Sequence, residues 1–247
     1  MKISNRKPPE SREAPSRPRR TRLSPTERSD QIVRGAIAFF AEHGFSGRTR
    51  ELAAQLGITQ GLLYRYFPNK EMLIERIYNE MFVKRIKPEW DEQLANRAAP
   101  LLERLRVFYL EYAAVLHDYE WGRIYLYSGL GGAIIAKRFV GQITQGLFPR
   151  IITELRHEFG LPDVAASPMT EPEQELIWAL HGSIFYIGIR ASVYRVSPPR
   201  DVPSTVIRLV ENFYENAGQL MREERSRVQV GKLPAHARAS RWPKKRR

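Results

Sequence analysis

Between Ser24 and Asn69 the chain carries four helix starts and three stops, and that density leaves few folds open. Ser24-Pro25-Thr26-Glu27 reads as a capping box with proline in the first helical position. Ile32, Ala36, Phe39 and Phe40 then fall on one helical face. Gly44 is expected to end this helix in a left-handed C′ conformation. Thr49 is expected to cap a second helix that stops at Gly57. Thr59 caps a third that stops at Pro68, and Asn69 caps a fourth running to about Ile86. Helices of seven or eight residues are marginal alone in water, so they must pack on one another. Two short helices joined by a tight glycine-containing turn are the helix-turn-helix pattern.

Within this pattern one glycine is out of place. Gly61 sits near the start of the third helix, where it costs roughly 1 kcal/mol relative to alanine. A recognition helix that must come close to DNA has a use for it, because the backbone can then approach a phosphate or a base edge. Gln60 beside it can pair with adenine through its amide in two places. Thr59 can touch a phosphate besides capping. Lys70 brings a cation to the positive end of the fourth helix, a second place for a phosphate.

The stretch AIAFFAEHGFSGRTRELAAQLGITQGLLYRYFPNKEMLIERIY, residues 36–78, resembles the DNA-binding domain of TetR-type transcriptional regulators. The anchors are Phe40, Gly44-Phe45, Thr49, Leu52-Ala53, Gly57-Ile58-Thr59, Gly61, Leu63-Tyr64, Tyr66-Phe67 and Lys70-Glu71. The resemblance implies that Tyr64 and Tyr66 reach the phosphate backbone on either side of the groove, and that Arg50 occupies a position able to reach a base. One departure lies between Gly44-Phe45 and Leu52-Ala53, where the chain is one residue shorter than the usual pattern and has Arg48-Thr49 in place of two adjacent Thr/Ser. Arg48 is therefore a further candidate phosphate contact, and Thr49 stands with it among the candidate DNA-binding residues. Phe40, Phe45, Leu52, Leu56, Ile58, Leu63 and Phe67 are assigned to the small core.

From Pro88 onward only helical patterns appear: 100–118, 119–130, 132–160 with a bend at Pro149, 171–195 and 201–227. The expected fold is all-α, with an N-terminal three-helix DNA-binding domain at 24–72 and a helical ligand-binding and dimerisation domain at 73–227. Residues 1–23 and 228–247 read as basic disordered arms. The resemblance implies a ligand pocket among the later helices. Candidate lining residues are Phe108, Tyr112, His117, Trp121, Tyr125, Trp178, His181 and Phe185, with Phe108, Tyr112, Val115 and Tyr119 forming a helical stripe. The helices at 171–195 and 204–224 are expected to form a four-helix dimer interface, with small residues Gly182, Ser183, Gly188, Ala191, Ser192, Ala217 and Gly218 permitting close approach.

Charge supports a polyanionic partner. Of a formal net charge of +13, residues 1–24 hold eight Lys/Arg against two Glu, and residues 225–247 hold nine Lys/Arg and no acid, so the stretch between is close to neutral. The chain has no cysteine, which fits a reducing compartment, and the expected location is the cytoplasm. No apolar run reaches the roughly 20 residues of a membrane span, and no secretory leader is visible in the first 24 residues. His43, His117, His157, His181 and His236 show no metal-ligand spacing, and no cofactor is expected. The expected protein is a homodimeric regulator of double-stranded DNA bearing a palindromic operator, most simply a repressor released by a small apolar or aromatic effector. A DNA binder without effector stays open as an alternative, and a helical enzyme as a remote one.

Overall fold

The computed structural model describes residues 23–131 and 134–230, and every regular element among them is helical. The basic stretches 1–22 and 231–247 lie outside the described residues. Helix α1, Pro25–His43, opens as its sequence dictates. Ser24 Oγ accepts from the Glu27 N–H at 3.2 Å, and the Glu27 carboxylate accepts from the Ser24 N–H at 2.8 Å. The apolar face of α1 buries Ile32, Val33, Ala36, Ile37, Phe39 and Phe40. Gly44 ends the helix with φ 66° and ψ −178°, so the expected left-handed C′ geometry is corrected in ψ. That region is open essentially to glycine alone. A Cβ there would also stand 2.9 Å from the Tyr127 ring.

Helices α2, Thr49–Gln55, and α3, Gln60–Tyr66, pack on each other, and α2 packs on α1. Their turn runs through Gly57 at φ 63°. Thr49 does not cap α2. Arg48 takes the cap position, its N–H held by Glu51 Oε2 at 3.4 Å, and Thr49 is the first helical residue. The Thr49 hydroxyl is thereby left out of the capping. Thr59 Oγ1 and Asn69 Oδ1 cap α3 and α4 as expected, accepting from the Leu62 and Met72 N–H groups.

Helix α4, Lys70–Tyr78, continues into a π-helical segment at Asn79–Val83 rather than running as plain α-helix to Ile86. A helix absent from the sequence reading, α5 at Glu89–Ala95, follows Pro88. Then come α6, Leu101–Leu116, and α7, Tyr119–Leu130. The single helix expected over 132–160 is instead α8, Ile134–Gln142, a second π-helical segment at Ile143–Leu147, and α9, Phe148–Glu158. Pro149 explains this break: its ring crowds the carbonyl four residues back, Gln145, and widening the turn relieves the clash. Helices α10, Glu171–Ser192, and α11, Val202–Val230, complete the chain.

The buried core is continuous from Ile32 through Tyr78, Phe82 and Trp121 to Met221, so the 72/73 boundary falls inside α4. Two sets of contacts tie the N-terminal helices to the rest. At the end of α1, Arg123 of α7 donates to the Ala41 carbonyl at 2.5 Å and Tyr119 donates to Glu42 at 2.7 Å. On α4, Glu75 takes a forked pair from Arg138 of α8 at 2.5 and 3.2 Å.

The small residues of the last two helices divide. A Cβ on Gly188 would meet His117 and the Leu116 carbonyl at 2.9 Å, and one on Gly218 would meet Phe159 at 2.6 Å. Ser192 and Ala217 are buried. These four serve packing within the chain. Gly182 and Ser183 are exposed on α10, and a Cβ on Gly182 would meet nothing.

Candidate nucleic-acid interface

The α2–α3 unit presents one polar surface. The Thr49 hydroxyl lies 3.0 Å from the Tyr64 hydroxyl and accepts from Gln60 Nε2 at 3.4 Å. Gln60 and Tyr64 stand four residues apart on α3, hence on one face. Helix α2 thus orients both through a single hydroxyl. Arg48 and Arg50 are exposed at the start of α2, Thr59 and Gly61 at the start of α3, and Arg65 near its end. Arg50 has no ion pair among the described residues, so its guanidinium remains available to an outside acceptor. Gly61 is neither crowded nor at positive φ; a Cβ added there meets open space. Nothing within the fold calls for glycine at that position.

The Lys70 ammonium does not join this surface. Tyr66 is half-buried and packs against the core. The Lys70 ammonium turns inward, donating to the carbonyls of Phe45 and Gly47, the latter at 2.9 Å, and lies 5.5 Å from the centre of the Phe40 ring. It pins α4 to the α1–α2 connection. A lysine at a helix start looks the same in sequence whether it faces solvent or a set of bare carbonyls.

Farther along the chain, an open cavity of ≈ 470 Å³ lies between the two π-helical segments. Its walls are Val83, Ile86, Lys87, Pro88, Trp90, Asp91, Tyr112, Gln142, Ile143, Gly146 and Leu147. Of the eight pocket candidates read from the sequence, Tyr112 lines it. Phe108 stacks on Tyr112 behind the wall. Trp121, Tyr125 and Phe185 pack with each other, Trp121 and Tyr125 also against Phe139. Trp178 packs on Phe148 and His181. His117 Nε2 sits 2.8 Å from the Ile184 carbonyl. The other seven candidates lie outside this lining, His117, Tyr125, Trp178 and Phe185 among them half-buried. The walls mix aliphatic, aromatic and polar side chains, and the π-helical segments supply Val83, Ile143, Gly146 and Leu147 of them.

His181 Nδ1 lies 3.2 Å from the Tyr112 hydroxyl, and burial pushes the imidazole pKa down to about 4. The ring behind the cavity wall is therefore neutral at physiological pH. Between the ordinary histidine value near 6.5 and about 4, the unfolded chain binds a proton that the folded chain refuses. Stability should accordingly fall on acidification through that window, by up to about 3 kcal/mol from this residue. Urea unfolding at pH 7 and pH 4.5 should show a smaller acid loss in His181→Gln than in the parent.

Comparison with known proteins agrees with this geometry. Residues 32–77 match the family model described as bacterial regulatory proteins, tetR family. An HTH-type transcriptional repressor, KstR2 of Mycolicibacterium smegmatis, is 27% identical over 106 residues, covering 42% of this chain and 51% of the relative. The match thus spans about half the length of that curated relative. Among solved structures, a TetR-like transcriptional regulator from Rhodococcus sp. RHA1 superposes with TM-score 0.55 at 17% identity, covering 85% of this chain and all (100%) of that one. A tetR-family transcriptional regulator from Streptomyces coelicolor gives 0.54 at 16% identity, covering 87% and 94%. These two likenesses concern the fold.

Proposed function

The N-terminal helices belong to the TetR family of bacterial regulators, and from that premise we propose that this protein is a homodimeric repressor that grips a palindromic operator and releases it when a small apolar molecule binds. The observation that carries the DNA-binding part is the exposed Thr49–Gln60–Tyr64 surface beside an unconstrained Gly61. Gln60 and Arg50 read base edges. Tyr64, Thr59 and Arg48 hold phosphates, which fix register without carrying sequence information. Tyr66 and Lys70 act from behind, by packing and by bracing α4.

The dimer part rests on α10 and α11. Leu176, Ala179, Ser183, Leu209, Asn212 and Asn216 line a shallow groove of ≈ 210 Å³ on their outer side. The small Ala179 and Ser183 side chains let a second copy approach this face closely. Two heads then address successive half-sites about one helical turn apart. The release part rests on the ≈ 470 Å³ cavity, whose wall includes the segment that prolongs α4.

Footprinting on the DNA flanking its own gene tests this reading. Two protected half-sites related by a dyad are expected. Gln60→Ala should cost about 1–3 kcal/mol per affected base pair and relax preference there, with little change at other positions. Uniform weakening across all sequences would assign Gln60 to phosphate instead, and absence of any protected segment would end the proposal.

A further inference from the structure

Three side chains of the α2–α3 surface are joined in a fixed order. Gln60 Nε2 donates to the Thr49 hydroxyl at 3.4 Å, and the Thr49 and Tyr64 hydroxyls lie 3.0 Å apart. Gln60 and Tyr64 are exposed, and Thr49 is half-buried between them. The Thr49 hydroxyl is not spent on the start of α2, where Glu51 Oε2 takes the Arg48 N–H instead.

Counting protons gives this chain a direction. An amide nitrogen can only donate, and each hydroxyl has one proton to give. When Tyr64 donates to Thr49, its outward side shows lone pairs alone and repels a phosphate. When Thr49 donates to Tyr64, the phenolic proton points outward, where an anion accepts it. A phosphate at Tyr64 therefore selects the second arrangement. The chain then runs from the Gln60 amide to Thr49, from Thr49 to Tyr64, and from Tyr64 to the phosphate.

We propose that Thr49 is a positioning residue that couples base reading to the phosphate grip. With Tyr64 on a phosphate, the Gln60 amide is held nitrogen-inward and presents Oε1 to the major groove, where it accepts from the exocyclic amino group of an adenine or a cytosine. The inference rests on the DNA-binding reading above. Turning the amide over, to offer its nitrogen to a keto oxygen, sets Oε1 against Thr49. The Thr49 proton must then turn to Oε1, and the Tyr64 proton is drawn inward to Thr49 and off the phosphate. A phosphate contact carries no sequence information directly. Through this hydroxyl it sharpens the choice of base all the same.

The full-length protein is titrated on the footprinted operator, at the base pair whose preference Gln60→Ala relaxes. In one half-site that pair is replaced by analogues lacking either the exocyclic amino group or the keto oxygen of its major-groove edge. For the parent, deleting the amino group should weaken binding about 5-fold or more, and deleting the keto oxygen less than about twofold. Inverting the pair exchanges the two groups between strands and should cost the parent about 10-fold or more. In Thr49→Val and in Tyr64→Phe the amide turns freely, so the cost of inversion should drop to about 3-fold or less. Thr49→Ser keeps the hydroxyl and should keep the parent's ratio. A role confined to holding phosphate would weaken both orientations of the pair equally and leave that ratio unmoved. An unmoved ratio in either Thr49→Val or Tyr64→Phe overturns the coupling. A keto deletion as costly as the amino deletion overturns the assigned amide orientation. A parent that binds no DNA, or a Gln60→Ala variant with unaltered preferences, sinks the DNA-binding reading instead, and both are seen before any analogue is made.

Discussion

Gly61→Leu is expected to fold at least as stably as the parent and to lose operator binding by about 100-fold or more. The folded state gains because glycine inside a helix is roughly 0.8–1 kcal/mol worse than a good helix former, and a Cβ added there meets nothing within 4 Å. Binding loses because the same side chain projects from the exposed start of α3, between Gln60 and the capping Thr59. A leucine there holds the helix off the groove. Giving up the Gln60 contact and a neighbouring phosphate contact in each half-site amounts to about 3 kcal/mol, which is the stated factor. Thermal unfolding and gel-shift titration of one preparation measure both signs. Unimpaired binding would mean that the α3 start faces away from DNA.

Arg156→Met should destabilise the chain by about 3–5 kcal/mol. Arg156 is buried on α9, and its guanidinium grips buried Glu173 of α10 at 2.7 and 2.6 Å. It also donates to the carbonyls of Pro162, Ser167 and Pro168. One side chain thus fastens the 161–170 connection and the first turn of α10. Methionine fills similar volume but strands a buried carboxylate and three carbonyls. Burial raises the Glu173 pKa, and hydrogen bonds from Arg156 and Thr170 outweigh it, leaving the carboxyl below its usual value. Its contribution is present above the ordinary glutamate pKa and disappears as pH falls through the lowered one. Adding Glu173→Leu to Arg156→Met should recover much of the loss, since the stranded charge is then gone. Urea midpoints of the three variants decide this, and a loss under 1 kcal/mol in the single variant would show that the site relaxes or hydrates.

Where a short-range rule governs, the chain was readable. Ser24, Thr59 and Asn69 cap the helices they precede, and Phe40, Leu52 and Leu63 are buried, because caps and faces depend on neighbours within a turn. What escaped depends on distant partners. Lys70 finds the carbonyls of Phe45 and Gly47, more than twenty residues back. Gly188 and Gly218, read as open to a second copy, accommodate His117 and Phe159. Arg48 takes the cap in place of Thr49, the helix beginning one residue earlier than expected. Of the aromatic stripe only Tyr112 reaches the cavity, whose wall is assembled from α5, α6, α8, the two π-helical segments and the 84–88 connection, which no single helical stripe joins.

Those two out-of-step segments, Asn79–Val83 and Ile143–Leu147, contribute opposite walls of the same cavity. Each carries a surplus residue in its helical turn, and a surplus residue can migrate along a helix by exchanging one backbone hydrogen bond at a time. Such a wall changes contour without melting. On the proposed function, a guest of different outline would then be met by a small shift of the wall and not by unfolding of either helix.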